Sequence, residues 1–282
     1  MASAGRRRPR GSGLEATTRK GPRKRLPLLQ LVLCNGTTAQ GIQRYTEQLQ
    51  QEKRLPHLLF VQEHHCRGEQ LTDHQAWLAK AGYHSHVSPA LPGAGKGTKA
   101  GVAVLARANL PLTKLHAVAS PAAVAGHLAV GHVSTFCKGG VACLSIYLAV
   151  GIGIAFENAE ILAKAARVVK ALQSQWILAG DFNNPIEALE PYAKAIGGHI
   201  IAPSMSTCLS ASGGSVIDYA IVSPGLFSAL TSITVDEQAC TAPHRPVLLT
   251  FSVPQEVPMV RQLRCPAPLP RGLPLGCARA PP

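Results

Sequence analysis

The amino-acid sequence predicts a layered α/β protein, and three observations support this prediction. Short apolar runs of strand length recur between residues 28 and 252. A few segments with helical periodicity separate them, so hairpins join some strands and helical crossovers join others. Finally, 46% of the 282 residues are hydrophobic, which allows a sizeable buried core in a chain of this length.

Composition divides the chain into three parts. Residues 1–25 hold nine Lys/Arg against Glu15 alone, and we expect a disordered basic tail. Residues 253–282 hold eight prolines and four arginines against Glu256, which is typical of a disordered Pro-rich linker or tail. Of the formal net charge of +13, only +2 is left for residues 26–252, which we expect to form one domain.

The strand and helix candidates follow from the apolar patterns. Helices are expected at residues 41–52, 70–81 and 158–172, and in the last of these Asn158 is expected to cap the start. Strands are expected at residues 28–33, 58–62, 83–89, 101–106, 141–148, 176–179, 216–222 and 247–252.

Two uncharged stretches, residues 115–137 and 139–156, require a membrane check. Histidines and a proline interrupt the first and four glycines interrupt the second, so buried strands explain them better than a spanning helix. The eight cysteines show no CxxC pair, and no apolar signal-peptide core follows the N-terminal arginines. We expect reduced thiols in an intracellular protein.

Polar residues follow several of the apolar runs, where α/β folds usually place their chemistry. A lone carboxylate in such a place means little, but two carboxylates, two asparagines, a histidine and an aspartate able to orient it form a constellation. The residues are Asn35, Glu63, Tyr147, Asp181, Asn183, Asp218 and His244.

The ordered motifs LVLCNG, LLFVQE, GVAVL, SIYL, WILAGDFN, SVIDYAIVS and PHRPV resemble those of the endonuclease/exonuclease/phosphatase superfamily. The nearest likeness is to the apurinic-like endonuclease domain of retrotransposon polyproteins. The resemblance implies a four-layer α/β/β/α sandwich. It also implies a metal-dependent phosphodiesterase site at one end of the two sheets.

The resemblance assigns the metal and the water to three of these residues. Glu63 is the main Mg²⁺ ligand, Asn35 supports it, and Mn²⁺ is an alternative ion. Asp181 positions or activates the attacking water. Physical chemistry requires such groups independently, because a hard cation held by carboxylates neutralises the charge that builds up on phosphate oxygens.

The resemblance assigns the phosphate to the other residues. Asn183 and Tyr147 hold phosphate oxygens, and His244 contacts the scissile phosphate while Asp218 orients its imidazole. A histidine fixed by a carboxylate can donate to the phosphate or take a proton, and amide and hydroxyl donors can fix the remaining oxygens.

Two departures from the family pattern bear on activity. The family usually has an aspartate directly before its final histidine, and here Pro243 offers neither a carboxylate nor an N–H. The family also often has Asp or Asn two residues after its first asparagine, and here Thr37 stands there.

The leading hypothesis is a monomeric, Mg²⁺-dependent DNA endonuclease of the retroelement type in the nucleus, with no membrane partner. The alternatives are a catalytically dead nucleic-acid-binding remnant and a phosphatase of the same superfamily. The basic tails favour nucleic acid, because they can bind phosphates along a polymer. For the N-terminal tail, a phosphate-binding arm or nuclear-import signal and a merely solvating tail both stay open.

Three further residue types have simpler interpretations. His64, His65 and Cys66 do not predict a zinc site, because adjacent ligands on an extended chain point to opposite faces and no second pair has zinc-site spacing. Cys208 follows the family's usual threonine and is expected to give structural support. Trp77 and Trp176 are expected to be core residues.

The N-terminal tail gives a first testable prediction. Deleting residues 1–25 removes nine cations, so DNA binding should weaken and its dependence on salt concentration should flatten. The fold should survive, since no core residue is lost. Filter binding or anisotropy across a salt titration measures this. Unchanged affinity at low and high salt would leave the tail as an import signal or an inert segment.

Overall fold

The structure is a computed structural model that describes residues 28–93, 95, 97–115, 124–172, 174–211 and 213–252. All of them lie in the predicted domain of residues 26–252. The predicted tails, residues 1–25 and 253–282, lie outside the described residues.

Sixteen strands are present in the described part of the chain. They are β1 (Leu28–Asn35), β2 (Leu58–Gln62), β3 (Tyr83–Ser88), β4 (Leu91–Pro92), β5 (Thr98–Lys99), β6 (Val102–Arg107), β7 (Leu112–Lys114), β8 (Leu128–Val133), β9 (Val141–Tyr147), β10 (Gln175–Asp181), β11 (His199–Ile201), β12 (Cys208–Ser210), β13 (Gly213–Ser215), β14 (Asp218–Val222), β15 (Leu230–Val235) and β16 (Val247–Ser252).

Twelve of these strands form two large sheets. The first sheet has the order β15-β16-β1-β2-β6-β3, and the second has the order β11-β14-β10-β9-β8-β7. The pairs β1/β2 and β9/β10 are parallel, and the other neighbours are antiparallel. The hairpins β4/β5 and β12/β13 lie outside the large sheets.

Among the described residues, four helices cover the outer faces of the two sheets, and a short fifth helix contributes Leu226 to the core between them. The helices are α1 (Ala39–Gln51), α2 (Gly68–Lys80), α3 (Phe156–Ala171), α4 (Ile186–Ala195) and the short α5 (Pro224–Ala229). Buried residues of α1 and α2 pack on the first sheet, and those of α3 and α4 pack on the second. A third apolar core fills the space between the sheets.

Strand β1 shows how the sequence specifies these layers. Leu31 and Leu33 belong to the core between the sheets, whereas Val32 and Cys34 belong to the core under α1. Alternate side chains of a strand point to opposite faces, so a strand covered on both faces is apolar throughout. The predicted four-layer α/β/β/α sandwich is therefore confirmed.

Asn158 does not cap α3, so that prediction was wrong. The helix begins earlier, at Phe156, and Ala155 is its N-cap. The buried Asn158 side chain accepts from Ala149 N at 2.7 Å and donates to the carbonyl oxygens of Ala149 and Gly153. The Asn158 side chain therefore fixes the preceding loop. The local sequence does not distinguish this role from capping, because in both cases the asparagine bonds backbone groups near the start of a helix.

The described residues also bear on the membrane and cysteine predictions. No helix among them has both the length and the hydrophobicity that a membrane span requires. In the uncharged stretch 115–137, residues Leu128–Val133 form β8 inside the second sheet. The six described cysteines are free thiols.

A buried polar contact joins the two sheets near the ends of their central strands. Gln62 Nε2, at the end of β2, donates to Ser145 Oγ of β9 at 2.9 Å. Ser145 Oγ in turn donates to Val61 O at 2.9 Å. Gly180 lies directly beside this contact, because a Cβ atom there would be 2.9 Å from Gln62 Nε2 and would overlap the Ile146 carbonyl oxygen.

Gly180 gives the second testable prediction. Gly180→Ala should lower the free energy of unfolding by about 2 kcal/mol or more, because the clash is with backbone of the adjacent strand and φ is +152°. Gly82→Ala is the matched control, since Gly82 has φ +90° but open space around it. Urea denaturation of both variants measures the difference, and equal losses would show that the close packing at Gly180 contributes nothing.

Candidate active site

Five of the polar residues predicted from the sequence meet where the two sheets end together. Asn35 ends β1, Glu63 follows β2, Asp181 ends β10, Asp218 begins β14 and His244 precedes β16. Asp181 and Asp218 are direct partners in the antiparallel β10/β14 pair. The first sheet thus supplies Asn35, Glu63 and His244, and the second supplies both aspartates.

The side-chain amide of Asn35 lies at the centre of the group. Its Nδ2 donates to Glu63 Oε2 at 2.9 Å and to Asp181 Oδ2 at 2.9 Å. Its Oδ1 accepts from Thr37 N at 2.9 Å. The opposite amide orientation would turn an oxygen toward two carboxylates and an NH₂ toward a backbone N–H. Asn35 therefore holds the two carboxylates close to each other.

His244 is oriented by Asp218, as the sequence predicts. His244 Nδ1 donates to Asp218 Oδ2 at 2.9 Å, and both side chains are buried. His244 Nε2 faces the site and lies 3.9 Å from Asp181 Oδ2. Asp218 is itself fixed, because its backbone N–H donates to Thr207 Oγ1 at 3.0 Å.

The three carboxylates shift the protonation equilibria of the site. Burial lowers the pKa of His244, but the hydrogen bond with Asp218 and the charges of Asp218, Asp181 and Glu63 outweigh it and raise the pKa to about 9. Burial, together with the charge of Asp218, raises the pKa of Asp181 well above its ordinary value. An imidazolium at His244 is therefore the favoured form at neutral pH.

Tyr147 and Asn183 border the same group. Burial raises the pKa of the Tyr147 phenol, and a hydrogen bond with Glu63 and the charge of that carboxylate add to the shift. The Asn183 backbone N–H donates to Asp181 Oδ1 at 2.9 Å, and its side chain donates to Leu148 O at 2.8 Å. All seven predicted residues are thus brought together, and their individual roles stay predictions.

Backbone strain collects around this site. Thr37, Glu63, His65 and Asn183 have φ between +47° and +56°, which is the left-handed region. Residues other than glycine adopt it at a cost of about 1 kcal/mol or more and do so most often at functional sites. The surrounding hydrogen bonds hold these residues in place.

The ligand atoms of Glu63, Asp181 and His244 lie within 4.8 Å of one another. Carboxylate oxygens are the ligands of hard divalent cations. The ion pairs of Asp181 and Asp218 are both with His244, and His65 Nε2 lies 4.0 Å from Glu63 Oε1. A divalent cation would balance this excess of carboxylates, so the residues present fit a metal.

Sequence reasoning missed some residues that shape the site. Gln62 and Ser145 join the sheets beneath it, and the signal was a glutamine and a serine inside strands that are otherwise apolar. Cys208, expected to be structural, forms an isolated β-bridge with His244, and its Sγ lies 3.8 Å from His244 Nε2.

The two departures from the family pattern remain departures in the structure. Pro243 is exposed, and its carbonyl oxygen accepts a hydrogen bond from Leu209 N at 3.0 Å. Its side chain adds no carboxylate to the site. The hydroxyl of Thr37 donates to Gly36 O at 2.7 Å.

Comparisons with known proteins agree with the fold. The sequence profile of the Endonuclease/Exonuclease/phosphatase family matches residues 32–240. The search of curated protein sequences gave no match.

Similar solved structures share the fold at low sequence identity. The endonuclease domain of TRAS1, a telomere-specific non-LTR retrotransposon, has a TM-score of 0.61 and 13% identity, over 80% of this chain and 99% of that one. An AP endonuclease from Leishmania major has a TM-score of 0.63 and 13% identity, over 80% of this chain and 88% of that one. A 3′ phosphatase from Neisseria, bound to a product DNA hairpin, has a TM-score of 0.60 and 17% identity, over 79% of this chain and 99% of that one.

The Asp218–His244 pair gives the third testable prediction. Asp218→Asn removes the anion that stabilises the imidazolium, so the pKa of His244 should fall from about 9 to 6.5 or lower. The sign follows because Asp218 raises this pKa whereas burial lowers it. NMR titration of the His244 ring protons measures the change, with the other histidine resonances as internal reference. An unchanged His244 pKa would contradict the assigned interaction.

Proposed function

The chain belongs to the Endonuclease/Exonuclease/phosphatase family, and we propose that it is a metal-dependent phosphodiesterase, namely a Mg²⁺-dependent DNA endonuclease of the retroelement type. The observation that carries the proposal is the convergence of Glu63, Asp181 and an Asp218-oriented His244 in one site. Carboxylates alone or an imidazole alone would not support this reaction, because phosphodiester hydrolysis needs both a site that holds a cation and a group that transfers protons.

Glu63 is the main residue that would hold the cation and Asn35 supports it, because the Asn35 amide keeps the carboxylates of Glu63 and Asp181 in place. A bound Mg²⁺ would neutralise charge on the phosphate oxygens, and Mn²⁺ could replace it. Small hard cations prefer oxygen ligands, which favours these two ions over zinc.

The protein side chains have separate tasks in this proposal. The carboxylate of Asp181 takes a proton from the attacking water, whose oxygen bonds to phosphorus while the bond from phosphorus to the leaving deoxyribose oxygen breaks. That leaving oxygen takes a proton from solvent. His244, held as an imidazolium by Asp218, donates its Nε2–H to a phosphate oxygen. Tyr147 and Asn183 are placed to donate to the remaining oxygens once substrate displaces their present contacts.

DNA is the proposed substrate for two reasons. Two of the similar structures are described as an AP endonuclease and a phosphatase bound to product DNA, and a third is a retrotransposon endonuclease domain. The excess of basic residues in segments 1–25 and 253–282 suits a polyanion that extends beyond the folded domain. A monomer acting in the nucleus is part of the same proposal.

Pro243 favours a second candidate function, a nucleic-acid-binding remnant without catalysis. Its position directly before His244 is where the family usually has a carboxylate. The exposed proline ring cannot act as a metal ligand. A nicking assay separates the two candidate functions, because only the endonuclease cleaves DNA.

The fourth testable prediction concerns catalysis. The wild-type protein should nick supercoiled DNA with Mg²⁺ and lose this activity with EDTA. Asp181→Asn and His244→Ala should each lower the rate on the order of 10²-fold or more, the usual scale for an acid–base or charge-stabilising group. Glu47→Gln, an exposed carboxylate on α1, is the control and should leave the rate unchanged. Variants as active as the wild type would contradict the site.

The fifth prediction concerns Pro243. Pro243→Asp should add an oxygen ligand next to His244 and lower the Mg²⁺ concentration needed for half-maximal nicking, because the wild-type site holds fewer carboxylates than its relatives. A magnesium titration of both proteins measures this. If both are inactive at saturating Mg²⁺ while DNA binding persists, the binding-remnant function replaces the enzyme.

A further inference from the structure

A second cavity lies beside the candidate active site, and we name it the α1–α2 cavity. It has a volume of about 560 Å³ and is lined by the start of α1, the loop after β2 and the first three turns of α2. None of the five residues at the centre of the active site lines it. It is large enough for a small planar molecule and is open to solvent.

The α1–α2 cavity shares one wall with the active site. His65 lines the cavity, and its Nε2 lies 4.0 Å from Glu63 Oε1. The other ring nitrogen of His65 is hydrogen-bonded to Thr98 O at 3.1 Å, and Thr98 also lines the cavity. A polymer whose phosphate lies at Glu63 would therefore have its neighbouring groups within reach of the cavity.

Three rings form a stack along one side of the cavity. The centroids of His64 and His74 are 5.9 Å apart, and those of His74 and Trp77 are 6.4 Å apart with nearly parallel planes. Trp77 ends this stack; it packs against the core under α1, as expected, and is also partly exposed. A flat, partly exposed indole that lines a cavity offers a surface on which another ring can stack.

His74 lies behind Trp77, between two other rings. Its side chain is only 3% exposed, and neither ring nitrogen has a hydrogen-bond partner. A buried polar group without a partner costs about 1–3 kcal/mol. Because both nitrogens are buried, His74 acts as the ring on which Trp77 stacks and does not contact a molecule in the cavity.

The polar lining selects against phosphate. Gln40, Gln43 and Gln70 contribute amides and Asp73 a carboxylate, and none of the described residues lining the cavity is a lysine or an arginine. An anionic group would meet the charge of Asp73 without compensation. A neutral ring with donors and acceptors on its edge fits this lining better.

We propose that the α1–α2 cavity binds a nucleobase of the substrate strand, turned out of its stack beside the scissile phosphate. Trp77 supplies the stacking surface, and the amides of Gln40, Gln43 and Gln70 and the carboxylate of Asp73 meet the base edge. The inference rests on the proposed function, because it takes DNA as the substrate. It adds a binding site that reads the substrate through a base, where the active site engages only the phosphate.

Equilibrium binding in EDTA tests this proposal without cleavage. The probes are a fluorescent single-stranded oligodeoxyadenylate and a sugar–phosphate chain of the same length that lacks bases. Trp77→Ala should weaken binding of the first probe ~10-fold, the scale of one base–aromatic stack. It should change binding of the base-free chain less than 2-fold. Trp77→Phe should restore most of the affinity, which also guards against a folding defect.

Phe227→Ala is the matched control, because Phe227 is a half-exposed aromatic residue on α5 that does not line the cavity. It should leave both affinities unchanged. Equal losses on the two probes with Trp77→Ala, or no loss on either, would overturn the inference. Nicking by the same wild-type protein is measured in parallel. If the wild type nicks DNA but Trp77→Ala does not selectively weaken binding of the probe with bases, only the cavity inference is refuted. If Trp77→Ala has that selective effect but the wild type does not nick DNA, only the proposed function is refuted.

Discussion

The amide of Asn35 is the contact on which the candidate active site depends. It reaches Glu63 within the first sheet and Asp181 at the end of the second, both at 2.9 Å. Most of the interface between the sheets is apolar, and apolar side chains fix the distance between the sheets but no particular register. Hydrogen bonds are directional, so the Asn35 amide, which donates to both carboxylates, fixes how the ends of β1 and β10 face each other.

Close packing beneath Asn35 makes this contact possible. The hydrogen bond between Gln62 and Ser145 joins β2 to β9 inside the core. Gly180, immediately before Asp181, lets β10 approach Ile146 without a side chain between them. Buried polar groups are costly unless they are paired, so these contacts also favour a single relative placement of the sheets.

The charge of the site follows from that placement. Asp181 and Asp218 are direct strand partners, and burial of such a pair raises the pKa of Asp181 while their combined charge favours the imidazolium of His244. An isolated protein thus holds its carboxylates with one histidine as counterion. A divalent cation and a phosphate substrate would change this balance together, which is the property expected of a metal-dependent hydrolase.

Much of the fold and the site could be predicted from the sequence, because both depend on strand ends. Apolar runs such as β1 end in polar residues, and strands that share an edge bring those residues together. Local pattern failed where the sequence does not show which backbone groups a side chain bonds or what surrounds it. Asn158 binds the preceding loop instead of capping α3. Trp77 lines a cavity because α1 and the loop after β2 leave space beside it. Helix α4 was not expected, since Pro191 lies inside it.

The most direct test of the account is the position of a bound metal. Crystals grown with Mn²⁺ and measured at its absorption edge locate the ion by anomalous scattering. One strong peak is expected within bonding distance of Glu63 and beside Asp181, and it should be lost in Glu63→Gln. A peak elsewhere in the domain, or none at saturating Mn²⁺, would contradict the claim that the carboxylates held by Asn35 form a metal site.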